Sequence, residues 1–250
     1  MSALFEELSA ERKLLQQQGK LPEWFTTLGW QAFKGKYLND CNTFEEQIDR
    51  IVENVAKSAP STPDKFSPTY LKKRWKELFM NNHAYLATPP LSNNGTNRGL
   101  SVSCSGSEIQ DAIREFYSSM REGAVLTQEG FGTSSSLEMI RPRGTPISRG
   151  GVANGPLNVF QDMVTMSQNV SQGGVRRGAW AGYIGLTNPA FDEIATEVKN
   201  NPDGSNVGWN VYDKDVEALN RGDRDAIANF QESQWLKCVT GKGYYYFPDK

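Results

Sequence analysis

Apolar residues recur at helical spacing over the first third of the chain, then break into shorter runs separated by turns. An amphipathic segment from about Ser2 to Gln18 predicts a first helix, and a tryptophan-rich connector runs from Pro22 to Trp30. Thr43-Phe44-Glu45-Glu46 has the form of a capping box, after which Phe44, Ile48, Ile51, Val52 and Val55 line one helical face. Ser58 to Asp64, with Pro60 and Pro63, predicts a loop. Ser67-Pro68 then opens a helix with Leu71, Trp75, Leu78 and Phe79 on one side. Residues 1–86 therefore read as a small helical domain that packs on the remainder of the chain.

A different rhythm runs from Ala87 to Lys250, the second predicted domain. Leu100 to Cys104 reads as a strand, and Ser107-x-x-Gln110 as the cap of a helix burying Ile109, Ile113, Phe116 and Met120. The Gly- and Ser-rich stretch from Glu129 to Ser136, leading into Ile140-Arg141-Pro142-Arg143-Gly144, reads as a loop. Helices are predicted from about Pro156 to Asn169, from Asn188-Pro189 through Val198, and from Asp225 to Leu236. Strands are predicted at Trp180–Gly185, Val207–Val211 and Gly243–Phe247. Strands alternating with helices predict a parallel α/β unit. The chain stops at Lys250, just after the last of these strands, so that edge would be left open and the pattern reads as interrupted.

Composition narrows the function classes. The 250 residues suffice for one large or two modest domains with a real core. Lys plus Arg number 27 against 29 Asp plus Glu, so no basic field argues for nucleic acid and no polybasic tail for a membrane. No run reaches the roughly 18 apolar residues of a membrane span, and the start lacks a signal peptide's basic and apolar regions. The cytoplasm is the default location, a host's if the source is viral. Cys41, Cys104 and Cys238 are far apart and odd in number, which suits a reducing compartment. A single histidine, His83, and the absence of Cys-x-x-Cys leave no metal site of recognisable spacing and nearly exclude a His-dependent triad.

Candidate chemistry gathers in three stretches. From Ala87 to Cys104 a Thr-Pro turn crosses an Asn-Asn-Gly loop and ends with Ser103 beside Cys104. Its hydroxyls suit a phosphate or sugar and its thiol suits redox chemistry, although a cysteine closing a strand is more often a small buried hydrophobe than a reagent. In Ser171 to Ala179, paired glycines allow close backbone approach and Arg176 and Arg177 offer forked donors for phosphate. Gly130 to Arg143 repeats the theme with Arg141 and Arg143. Taken alone, either stretch reads more readily as a surface loop with solvated arginines, and neither has a P-loop or dinucleotide fingerprint.

Taken together and in order, these motifs resemble the first half of the catalytic large subunit of class I ribonucleotide reductase, of phage or bacterial type. Thr88-Pro89 before Ser103-Cys104, Ile140-Arg141-Pro142-Arg143-Gly144, and Ser171-Gln172-Gly173-Gly174-Val175-Arg176 carry the likeness, which runs from about Pro22 to the end. The resemblance implies an N-terminal helical domain followed by the first half of a ten-stranded α/β barrel. Cys104 matches one of the cysteine pair oxidised to a disulfide as the ribose loses its 2′-hydroxyl. Thr88, Ser103 and Gly132 match substrate-contacting positions. Asp111 and Arg141 match the specificity site for a deoxynucleoside triphosphate or ATP, and Gln172, Gly173, Gly174 and Arg176 the loop that relays effector identity to the substrate.

The resemblance also implies what lies elsewhere. The radical cysteine, the second cysteine of the redox pair and the C-terminal thiols have no match before Lys250, and the short N-terminal segment has no counterpart of an ATP-cone. The implied partners are a C-terminal fragment of the large subunit, a metal-containing small subunit that supplies the radical, thioredoxin or glutaredoxin, a nucleoside diphosphate and a second large subunit. Cys238 matches no family cysteine and reads as buried filler, and Cys41 as structural. A catalytically inactive nucleotide-binding remnant or regulator is the alternative. A small thiol oxidoreductase fits poorly because no resolving cysteine lies near Cys104.

Overall fold

The computed structural model describes residues 3–60, 66–172 and 176–250. They form two compact units, Met1–Ser103 and Cys104–Lys250. The first unit is helical: α1 (Ala3–Gln17), α2 (Thr27–Lys36), α3 (Phe44–Ala56), α4 (Pro68–Met80) and the short α5 (Thr88–Asn93). Side-chain hydroxyls start three of these helices. Thr26 accepts from the Gly29 amide at 3.0 Å, Thr43 from Glu46 at 3.1 Å and Ser67 from Tyr70 at 3.3 Å. The Glu46 carboxylate reaches back to the Asn42 amide, one residue earlier than a strict capping box requires.

Leu8, Leu21, Phe25, Trp30, Phe33, Phe44 and Ile48 form the core of this unit. Phe44 meets Phe25 and Phe33 edge-on at 5.1 and 5.2 Å between ring centroids. Trp30, in the predicted connector, is instead fully buried on α2. The change of sequence pattern at Ala87 does not coincide with the division between the units. Residues 88–98 are tied into the helical unit, with Asn39 donating to the Ser92 carbonyl at 2.6 Å and Gln47 to that of Leu91 at 2.5 Å.

The second unit is built on a parallel five-stranded sheet of order β1-β2-β5-β6-β7: β1 (Cys104–Glu108), β2 (Gly132–Ser136), β5 (Trp180–Gly185), β6 (Val207–Asn210) and β7 (Tyr244–Tyr246). Between them run α6 (Ile113–Gln128), α7 (Pro156–Asn169), α8 (Phe191–Asn200), α9 (Asp213–Asn220) and α10 (Arg224–Thr240). A small antiparallel pair, β3 (Ser171–Gln172) with β4 (Arg176–Arg177), precedes β5. Sequence-adjacent units lie side by side, as βαβ crossovers require. The helical domain followed by a parallel α/β unit agrees with the predicted fold class.

The apolar core of this unit lies on one face of the sheet. Trp180, Ile184, Val207 and Trp209 project from alternate strand positions into a cluster with Phe160, Met163, Phe191, Ile194 and Leu236 of α7, α8 and α10. Phe160 meets Trp180 at 5.2 Å, and Phe191 meets Trp209 at 4.6 Å. Gly182 lets α7 approach, since a Cβ there would lie 2.7 Å from Phe160 and from Trp180.

Several local expectations change. The first strand begins at Cys104, where it was predicted to end. Ser107 lies inside β1 and caps nothing; α6 starts at Ile113 without a side-chain cap, and Ile113 is 64% exposed instead of buried. The Gly/Ser stretch contains β2, not only loop. The Ser135 hydroxyl is satisfied within the sheet: its Oγ lies 3.0 Å from Ser107 Oγ and accepts from Trp180 Nε1 at 3.1 Å, whereas the neighbouring Thr133 Oγ1 is buried with no hydrogen-bond partner. Small residues here admit α6 closely, where Gly123 faces Met166 and Thr133.

Candidate functional site

The opposite face of the sheet carries the cysteine. Cys104 opens β1 directly across from Gly132, which opens β2, and its side chain is exposed. Gly106 pairs with Ser134, which in turn pairs with Ala181 on β5. This part of the face therefore holds only small side chains beside the thiol. Further along, Tyr183 lies across β6, where a Cβ on Gly208 would stand 2.2 Å from its ring, and Tyr246 meets it edge-on at 6.0 Å.

Toward the carboxyl ends of the strands, Glu138 accepts hydrogen bonds from Asn210 at 3.0 Å and from Asn188 at 3.2 Å. The sequence reading missed this tyrosine and carboxylate set. The usable signal was the alternation in β5, which puts Tyr183 opposite in sense to Trp180 and Ile184.

Ser103 is the last residue of the first unit, covalently next to the thiol. Thr88 begins α5, with its hydroxyl 3.3 Å from that of Tyr37, and its carbonyl accepts from Ser92 Oγ at 2.7 Å. Of the other cysteines, Cys238 is exposed on α10, not buried as expected. Cys41 is half-buried in the helical unit. Burial raises its thiol pKa, with Arg50 opposing the rise and Glu46 and Asp40 adding to it, which disfavours the thiolate.

A second constellation lies where β1 and β2 end. Asp111 and Arg141, 30 residues apart in sequence, form an ion pair on the wall of a cavity of about 830 Å³. The first turns of α6 and α7 open onto it, as does a tight reversal in which the Gly144 amide donates to the Ala153 carbonyl. Arg114 and Arg149 also line it. Two helix N-termini and three arginines suit an anionic ligand, while Asp111, Asn158 and Asp162 offer acceptors or amide contacts for a neutral part.

Gly155 at the start of α7 must be glycine, because its φ is 77° and a Cβ would lie 2.9 Å from the Arg143 amide nitrogen. Arg143 itself is engaged by Glu193 through two hydrogen bonds of 2.8 and 2.9 Å, which raise its pKa above the ordinary value. Gln172 and Arg176 face each other in the β3–β4 pair, and Gly173 and Gly174 lie outside the described residues. Among the described residues no cluster of three or more His, Cys, Asp or Glu is placed to hold a metal ion.

Residues 102–221 match the family model "Ribonucleotide reductase, barrel domain". This span contains β1, β2 and the Asp111–Arg141 cavity. These residues are similar to a ribonucleotide reductase barrel. The likeness to the reductase extends further. A "Vitamin B12-dependent ribonucleoside-diphosphate reductase" of Mycobacterium tuberculosis is 27% identical over 192 residues, covering 74% of this chain and 28% of that protein. One of the same description from Thermoplasma acidophilum is 24% identical over 204 residues, covering 80% of this chain and 25% of its own length. The solved "class Id ribonucleotide reductase alpha subunit" of Actinobacillus ureae superposes with a TM-score of 0.75 at 27% identity, over 91% of this chain and 41% of that one. The chain thus spans about a quarter of the curated reductases it matches. Five parallel strands with helices on one face fit the predicted incomplete reductase barrel.

Proposed function

We propose that this chain supplies the substrate floor and effector cavity of a class I ribonucleoside-diphosphate reductase, reducing ribonucleoside diphosphates for DNA synthesis. The observation that supports this most is the exposed Cys104 opening β1 beside Gly132, inside the segment matched to the reductase barrel. Cys104 and a second cysteine, on barrel strands outside this sequence, each give up a hydrogen equivalent. One hydrogen joins the 2′-hydroxyl, which leaves as water, the other takes its place on C2′, the two sulfurs join as a disulfide, and thioredoxin or glutaredoxin restores the thiols. A metal-containing small subunit supplies the initiating radical. Thr88, Ser103 and Gly132 hold the substrate, and the Asp111–Arg141 cavity with the Gln172–Arg176 segment holds a deoxynucleoside triphosphate or ATP.

The protein acts in the cytoplasm, within a dimer of large subunits completed by the remaining barrel half. No helix among the described residues is long and apolar enough to cross a membrane. The test is Cys104→Ser in the assembled enzyme. Multiple-turnover reduction is expected to vanish while nucleotide binding stays near normal, and normal turnover would sink the assignment. A second reading, a nucleotide-binding remnant or regulator, draws on the effector cavity being lined entirely by residues 111–162 of this chain. Nucleotide binding by calorimetry, together with no reduction after the remaining barrel half and radical subunit are added, favours that reading.

A further inference from the structure

A tyrosine ring crosses the middle of the open sheet face. Glu108, Ser136, Tyr183, Gly208 and Tyr244 form one register line across β1, β2, β5, β6 and β7, with Glu108 exposed at one end. Behind this line, toward the amino ends of the strands, lie Gly106, Gly132, Ser134 and Ala181, with Cys104 at the far end. From Gly132 to Ser136 the strand covers about 13 Å at ordinary strand rise. That length suits a small molecule lying along the sheet.

The ring of Tyr183 is held in place. It lies over β6 because Gly208 has no side chain, and Gly208 is not among the residues of positive φ, so the ring and not the backbone demands glycine there. Tyr246 props it edge-on with an interplanar angle of 84°. Tyr183 stands apart from the apolar cluster under the helices. Burial raises its phenol pKa first, and Tyr244, Cys104 and Tyr246 raise it further.

We propose that Tyr183 is a positioning residue, its ring the wall that holds a nucleoside diphosphate over Cys104. This rests on the substrate reading above. The wall acts through shape, so the ring matters and the hydroxyl does not. Gly208 belongs to the same device, since a methyl there displaces the ring.

The experiment follows alkylation of Cys104 by iodoacetamide in the intact chain, by mass spectrometry of the Cys104 peptide, while cytidine diphosphate is titrated. Cys238, exposed on α10, is the internal control. In the unaltered chain the diphosphate is expected to slow labelling of Cys104 and leave Cys238 unchanged. Tyr183→Leu, which keeps Gly208 covered, is expected to raise the half-protecting concentration about tenfold, or ~1.4 kcal/mol. Gly208→Ala should shift it in the same direction, and Tyr183→Phe should restore the parental value. Protection of the Tyr183→Leu chain at the parental concentration overturns the role of Tyr183 and leaves the substrate reading standing. No protection of the unaltered chain overturns the substrate reading and this inference with it.

Discussion

The two faces of the one parallel sheet are made by alternate residues of the same strands, yet they follow opposite rules. One face presents Trp180, Ile184, Val207 and Trp209, all nearly inaccessible, to the helices. The other presents Cys104, Gly106, Gly132 and Ser134, which bury little and pack against nothing large. Dispersion and the hydrophobic effect reward filling the first face, at about 1.5–3 kcal/mol for each large side chain buried. The chemistry proposed for Cys104 requires the second face to stay open. Stability and chemistry are thereby separated by a period of two along the chain.

If that separation holds, substitutions on the packed face should damage stability and those on the open face should not. The largest effect is expected from Phe160→Ala, which leaves a void beneath Trp180 and should cost about 3–5 kcal/mol in urea unfolding. Gly182→Ala comes next. Its methyl meets Phe160 and Trp180 at 2.7 Å, so overpacking should cost about 1–3 kcal/mol by the same measurement. A small effect at either position would mean the helices sit more loosely than the ring contacts require.

Arg141→Ala removes a cation from the cavity proposed to hold the effector. It is expected to weaken deoxynucleoside triphosphate binding about tenfold by calorimetry, with little change in unfolding. Unchanged affinity would separate the cavity from the effector.

The smallest effect concerns the helical unit. Lys76 bridges Glu45 at 2.7 Å and Asp49 at 2.9 Å. Partial burial opposes its charge, but these hydrogen bonds outweigh that and raise its pKa above the ordinary 10.5. A raised folded-state pKa makes the contribution complete below the unfolded value and removes it as pH climbs through the folded one. Lys76→Met should therefore cost about 0.2–1 kcal/mol at pH 7, and parent and variant should converge above the ordinary lysine pKa. A cost that persists at high pH would point to packing by the aliphatic stem.

What was readable in the sequence tracks how local the determining physics is. The helices α3, α4 and α7, the caps at Thr43 and Ser67, and β5 follow from apolar spacing and from hydroxyls placed one residue before a helix. Such signals lie within a few residues of the structure they specify. The first two strands were not legible in this way. Cys-Ser-Gly-Ser-Glu and Gly-Thr-Ser-Ser-Ser show no apolar alternation, and they are strands because each finds a backbone partner far along the chain.

The site divides in the same manner. Cys104 and the Arg141 motif stand out by residue type and order, and Gly132 only through the family resemblance. Tertiary structure decided that Cys104 opens the strand paired with Gly132, and that Asp111 reaches Arg141 across two strand ends. It also decided that Gly208 clears room for the Tyr183 ring. Each depends on register between segments tens of residues apart, and register is set by pairing energy summed over the whole sheet, which no short stretch of sequence contains.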